Sequence, residues 1–182
     1  MSVLEGKKIV VGIGGGIAAF KAVVLVRELL RRGAKVRVVM TESATRFVGP
    51  ITFTGLVGEP AVTDLWNPAY AGEVHVELAD WADAIVVAPA TANLMARAAH
   101  GMADDALLAT LSCADCPVVF APAMHERMWR SKATQRNVEQ LKQSGVRFAG
   151  PVSGELANGS VGMGRMTEPN AIRRRMAEYV AD

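Results

Sequence analysis

Aromatic side chains make up only 5% of this 182-residue chain, and cysteine occurs twice, at Cys113 and Cys116. A core with so few rings has to be packed from Ala, Val, Leu and Ile, which suits small side chains wedged between helices and a sheet. Two cysteines exclude a disulfide-stapled scaffold. Their spacing in "CADC" also argues against a redox or metal role: a thioredoxin-type pair opens a helix after a strand, whereas this pair closes one ahead of the apolar run "PVVFAP". Zinc would need two more ligands close by, so no metal is expected and the thiols read as free groups of a reducing compartment.

Long apolar runs are missing too. No stretch approaches the ~18 residues of a membrane span, and the N-terminal segment "MSVLEGKKIVVGIGGG" has no signal-type apolar block, so the expectation is a cytoplasmic protein without a membrane partner. Neither sign of charge dominates. Twenty basic and eighteen acidic residues are spread along the sequence for a net charge of +2, which leaves no track for a nucleic-acid backbone. The run "RRR" at 173–175 falls on a final amphipathic helix and reads as a solvated face.

What the sequence does contain is alternation. The apolar runs "KIVVGI", "AKVRVVM", "AIVVAP", "PVVFAP" and "VRFAG" are separated by helix-length periodic segments, the first at about 17–32. Near-continuous Val, Ile and Ala runs mark strands covered on both faces. The expected fold is α/β: a three-layer, doubly wound parallel sheet of Rossmann-like or flavodoxin-like type in one domain, 1–182, with ligands at the carboxyl ends of the strands. One segment, 150–166, departs from the pattern with five glycines and little apolar periodicity. It reads as a disordered connector or a mobile lid.

Three strand-end loops carry the candidate chemistry. In "GIGGGIAAFK" the backbone amides and the positive end of the following helix form an anion site. One register, Gly14, Gly16 and Ala19, fits a dinucleotide fingerprint, yet no acid lies at the distance that fingerprint wants. Thr41 and Ser43 in "TESATRF" offer hydroxyls to phosphate oxygens instead, so a mononucleotide is as plausible, and glycines serving only strand-to-helix packing are a third possibility. In "APATANL", Thr91, Ala92 and Asn93 open a helix, either as a plain cap or as small polar contacts to a flat ligand. The third loop, "APAMHERMW", holds His125 between two methionines. Of the other histidines, His100 reads as a helix-stop residue before Gly101, and His75, taken alone, as a structural one.

The segments "GGGIAAFK", "HVELADWADAIVVAPATANLMARAAHGMADDALLAT", "VVFAPAMHERMW" and "SGELANGSVGMGRM" together resemble the homo-oligomeric flavin-containing cysteine decarboxylases. The resemblance spans nearly the whole chain in the same order. It implies FMN as cofactor, with phosphate and ribityl contacts at Gly15, Gly16, Ile17, Thr41 and Ser43 and the ring against Thr91, Ala92, Asn93 and Leu94, near Ala123 and Met124. It makes His75 the catalytic base, acting on a flavin held mainly by a neighbouring chain of a trimer or a multiple of trimers. The branch most resembled serves coenzyme A biosynthesis, converting 4'-phosphopantothenoylcysteine to 4'-phosphopantetheine, often with a synthetase domain or partner attached. The chemistry is intelligible: a cysteinyl carboxylate loses carbon dioxide only if the side chain becomes an electron sink, and flavin is the oxidant. An imidazole titrates in the right range to take the thiol proton first.

Two positions depart from the family pattern. The motif after the fourth strand is usually P-x-M-N-x-x-M-W, its Asn holding the substrate carboxylate; here His125 stands in that place, and a neutral ring N–H can donate similarly. In the flap, many coenzyme A members have a cysteine that donates the last proton, where this chain has Asn158 in "ANG". An amide cannot donate that proton. Either another group or water supplies it, or the reaction stops short; the alternatives to the coenzyme A reaction are oxidative decarboxylation of a peptide C-terminal cysteine to an aminoenethiol, or a non-enzymatic flavin-binding regulatory subunit.

Overall fold

A computed structural model describes residues 2–68, 70 and 72–181. The five apolar runs become β1 (Lys8–Ile13), β2 (Lys35–Met40), β3 (Ala84–Ala90), β4 (Val118–Pro122) and β5 (Arg147–Phe148). They form a wholly parallel sheet in the order β2-β1-β3-β4-β5. This is the flavodoxin-like doubly wound order, in which the connections change direction between β1 and β3. The outer edge of β2 is extended by a parallel bridge, Val39 to Val62.

Strand pleating decides what each face carries, because successive side chains point to opposite sides. Ile9, Val11, Ile13, Ala84, Val86 and Ala88 pack on one side against α1 (Ala19–Arg31), α3 (Pro50–Val57) and α9 (Pro169–Ala181), through Leu25, Leu29, Phe53, Ile172 and Met176. Val10, Ile85, Val87 and Phe120 pack on the other. There they meet α4 (Val74–Trp81), α5 (Ala92–Ala99), α6 (Ala106–Ser112) and α8 (Lys132–Gln143) through Leu78, Met95, Leu107 and Leu141. Two one-turn helices, α2 (Glu42–Thr45) and α7 (Glu126–Trp129), follow β2 and β4. Among the described residues no helix is long and apolar enough to cross a membrane, and no three potential metal ligands cluster.

The structure differs from the sequence reading in a few places. The first helix begins at Ala19 rather than 17, because residues 14–18 stay in the loop and Ala18 has no side chain able to cap it. The last strand pairs over two residues only. The glycine-rich segment is no disordered connector: β6 (Val152–Glu155) and β7 (Val161–Arg165) pair as an antiparallel hairpin. Cys113 ends α6 and is exposed, while burial pushes the half-buried Cys116 thiol up from its ordinary pKa.

Leu25 is fully buried on the inner face of α1. Leu25→Ala should lower unfolding stability by about 2–5 kcal/mol, read from urea denaturation midpoints at unchanged slope. A loss below ~1 kcal/mol would mean that this helix face is not packed as described.

Candidate active site

All strands end in the same direction, so the loops after β1, β2, β3 and β4 gather at one edge of the sheet. A cavity of about 770 Å³ opens there. Gly15, Gly16 and Ile17 line it from the first loop, Thr41 and Ser43 from the second, Thr91, Ala92, Asn93 and Leu94 from the third, and Ala123, Met124 and His125 from the fourth. The hairpin closes the remaining side with residues 155–158, including Asn158. Thirteen of the fourteen residues picked out from the sequence thus share one cavity. His75 is the exception. It lies half-buried near the start of α4, does not line the cavity, and has no hydrogen-bond partner among the described residues.

The first two loops make an anion cradle. Among the described residues the amides of Gly15, Gly16 and Ile17 donate to no acceptor, and they precede a thirteen-residue helix whose dipole adds positive potential. Gly15 has no room for a side chain: an added Cβ would collide with Ser43 Cβ and come within 2.7 Å of the Ser43 carbonyl carbon. This contact sets the exposed Ser43 hydroxyl beside the free amides. Thr41 is buried, and its hydroxyl oxygen accepts from Ala44 N at 3.2 Å, so it caps α2 while its own hydrogen stays free to donate. Thr91 does the same for α5, accepting from Leu94 N at 3.3 Å.

The fourth loop and the hairpin are fitted to each other. Met124 N donates to Gly164 O at 3.0 Å, and Met163 N donates to a Glu126 carboxylate oxygen at 3.4 Å. Gly164 adopts φ +144°, a conformation open essentially to glycine alone, and an added Cβ would fall well inside van der Waals contact of Met124 O. At the hairpin's turn Asn158 brings its amide nitrogen to 3.4 Å from His125 Nε2. His125 caps α7, its Nδ1 accepting from Arg127 N at 3.1 Å, so in the neutral ring the hydrogen sits on Nε2.

Charged residues in the lining were not singled out from the sequence. Lys21 lies one turn into α1 and is bound at 2.8 Å to Glu168, which also takes Arg165 at 2.8 Å. The Lys21 hydrogen bond, with help from Arg165, holds the Glu168 carboxyl below its usual pKa. Arg97 is paired with Asp104 and, at 3.0 Å, with Asp105. Burial works against its charge, but the two carboxylates more than offset it, and the guanidinium sits above its ordinary pKa. Phe20 and Met128 add apolar surface. A spacing signal existed for Phe20 and Lys21, three and four residues past Ile17; none existed for Arg165, which reaches the cavity only because the hairpin folds back.

These features define a doubly wound α/β protein with its binding cavity at the topological switch point, floored by a helix N-terminus and roofed by a hairpin. The chain belongs to the Flavoprotein family, whose sequence model matches residues 2–180. It is 48% identical over 170 residues to the coenzyme A biosynthesis bifunctional protein CoaBC of Vibrio vulnificus (strain YJ016), covering 93% of this chain and 42% of that one. To CoaBC of Mycobacterium tuberculosis (strain ATCC 25618 / H37Rv) it is 51% identical over 166 residues, 91% of this chain and 40% of the other. The chain thus spans about two fifths of the length of these curated relatives. Among solved structures, a cysteine-to-serine mutant of PPC decarboxylase complexed with pantothenoylaminoethenethiol superposes with TM-score 0.88 at 28% identity, covering 98% of this chain and 100% of that chain. The FMN-dependent cysteine decarboxylase SpaF does so with TM-score 0.84 at 33% identity, covering 99% and 98%.

Gly164→Ala should lift the hairpin from the fourth loop while leaving the sheet intact. The expected result is faster cleavage within residues 155–161 by a broad-specificity protease, with an unchanged circular dichroism spectrum. Equal cleavage of both proteins would show that the hairpin's seating does not depend on this contact.

Proposed function

We propose that the chain is an FMN-dependent carboxy-lyase that decarboxylates 4'-phosphopantothenoylcysteine in coenzyme A biosynthesis. The observation that carries this reading is the single switch-point cavity in which a ready-made anion cradle, a wall of small residues and a hairpin roof come together. The residues present fit the cofactor. The Gly15, Gly16 and Ile17 amides and the Ser43 hydroxyl suit its phosphate, and Thr91, Ala92, Asn93 and Leu94, with Ala123 and Met124 nearby, suit a flat ring. FMN, when bound, supplies the two-electron acceptor that makes a cysteine side chain an electron sink for the departing carboxylate.

The chain's own groups have separate tasks. His125 offers a neutral N–H to the substrate carboxylate; an imidazolium would bind it about twice as strongly but would hold the ground state whose charge leaves with carbon dioxide. His75 takes the thiol proton, and since it does not line its own chain's cavity, that task needs a second copy. An exposed apolar patch supports this reading. Phe20 and Val24, four residues apart on α1, are 57% and 45% exposed, Ile17 in the loop just before the helix is 62% exposed, and Phe47 and Ile51 are exposed as well. We read these residues as buried between subunits of a trimer or a multiple of trimers. A synthetase partner or domain and a cytoplasmic location complete the proposal; the first is supported by the CoaBC relatives being bifunctional proteins of which this chain spans about two fifths.

Asn158 favours one alternative. An amide N–H is far too weak an acid to give up its proton in a final reductive step, and SpaF, a cysteine decarboxylase, is among the similar structures. A peptide ending in cysteine is therefore the second reading, with the reaction stopping at the enethiol.

Purified protein loaded with FMN and given 4'-phosphopantothenoylcysteine should yield a product lighter by carbon dioxide alone; a further loss of two hydrogens supports the second reading. His75→Asn should retain the visible flavin absorbance and lose about 100-fold or more in turnover. A variant that turns over normally would remove His75 from the mechanism, and a protein that never takes up flavin would sink the proposal itself.

A further inference from the structure

The contact between Asn158 and His125 contains a conflict that the fold does not resolve. A neutral imidazole has one acceptor nitrogen, and two donors call on it. Arg127 N–H takes Nδ1 at 3.1 Å, while the Asn158 amide nitrogen faces Nε2 at 3.4 Å. Neither side can turn over to relieve this. Asn158 Oδ1 is held by Ser160 N at 3.2 Å and Ser160 Oγ at 2.8 Å, so a flipped amide would set nitrogen against an N–H. A flipped ring would set carbon against Arg127 N–H and uncap α7. Protonating the ring supplies no acceptor either. Nε2–H and the Asn158 N–H are therefore two donors meeting on the same part of the cavity wall, one carried by the β4–α7 loop and the other by the hairpin.

We propose that Asn158 and His125 form a two-donor clamp for the substrate's carboxylate, with one anionic oxygen accepting from both. The proposal rests on the decarboxylase reading above and gives Asn158 a binding role in it. An oxygen with several lone-pair sites satisfies both donors at once and ties the hairpin to the fourth loop. Both donors are neutral, so the clamp orients the acid without the ground-state hold of a full positive charge. When the carboxylate leaves as carbon dioxide the shared acceptor goes with it and the tie across the cavity mouth is lost. Substrate acid thereby closes the hairpin and product frees it.

The test measures affinity by calorimetry on FMN-loaded His75→Asn protein, so that no ligand is consumed, with and without Asn158→Ala. Two acid and decarboxylated pairs are compared: 4'-phosphopantothenoylcysteine with 4'-phosphopantetheine, and N-acetylcysteine with N-acetylcysteamine. Loss of one hydrogen bond to a charged group should weaken each acid by about tenfold or more. Each decarboxylated partner should change less than about twofold. His125→Ala combined with Asn158→Ala should cost less than the two single losses together, since they share one oxygen. Equal weakening of acid and partner would mean that Asn158 only supports the hairpin, and an unchanged acid affinity would mean that it faces solvent; either overturns the clamp. Wild-type turnover separates the two ideas. Carbon dioxide release with an unaffected acid affinity sinks the clamp alone, whereas selective loss of N-acetylcysteine binding without any turnover of the pantothenoyl acid sinks the decarboxylase reading alone. A protein that prefers the acid in neither pair also overturns the clamp.

Discussion

Where β1 and β3 lie side by side in the sheet, their loops leave in opposite directions, and the crevice between them cannot be filled from either neighbour. The chain uses this geometrical necessity as its binding site. Because the sheet is wholly parallel, all four loops that could line the crevice are on the same side. Helices cover both faces, and at the crevice the loop amides after β1 face the cavity directly. The cradle at Gly15, Gly16 and Ile17 exists for the same reason. A chain turning straight from a buried strand into a helix leaves its first amides without carbonyl partners, and a side chain at Gly15 would push the neighbouring loop away from them.

The fourth wall is built differently. Loops after β1, β2 and β3 are positioned by the sheet they leave, whereas the hairpin is brought back from beyond β5 and secured by local contacts: Gly164 against Met124, Met163 on Glu126, and the Lys21–Glu168–Arg165 group at its base. The Gly164 and Met163 contacts are buried or half-buried, whereas the ion pairs at the base are more exposed. Exposed ion pairs each contribute little, so the hairpin is held mainly by the first two contacts. The meeting of donors at His125 and Asn158 lies where the fourth loop and the hairpin touch, at the opposite wall of the cavity from the amides of the first loop.

Much of this was legible in the order of residues. The alternation of buried strands with periodic helices gave the doubly wound sheet, because strands covered on both faces must be apolar at nearly every position and amphipathic helices must cover them. The loops after β1, β3 and β4 were marked by their place at strand ends. Segment 150–166 was harder. Its glycines left both a disordered connector and a mobile lid open, whereas Gly162 and Gly164 lie in a strand packed so closely on Glu126 and Met124 that a side chain at either would collide. Sequence periodicity cannot distinguish a glycine that loosens a chain from one that lets two backbones touch. Arg165 escaped notice for a related cause: it lies about 145 residues from Lys21, and the two meet through Glu168.

What the sequence determined by itself was the pattern of burial, and with it the sheet, the covering layers and the edge at which a ligand must bind, since hydrophobic periodicity is a local property. What only the tertiary structure decided was which polar groups face one another: that Thr41 and Thr91 spend their oxygens on helix caps, that His75 stays outside the cavity of its own chain, and that the His125 and Asn158 donors converge. Hydrogen bonds depend on direction over about 3 Å. No one-dimensional spacing sets such a direction between residues 33 positions apart; the packing of the hairpin on the fourth loop does.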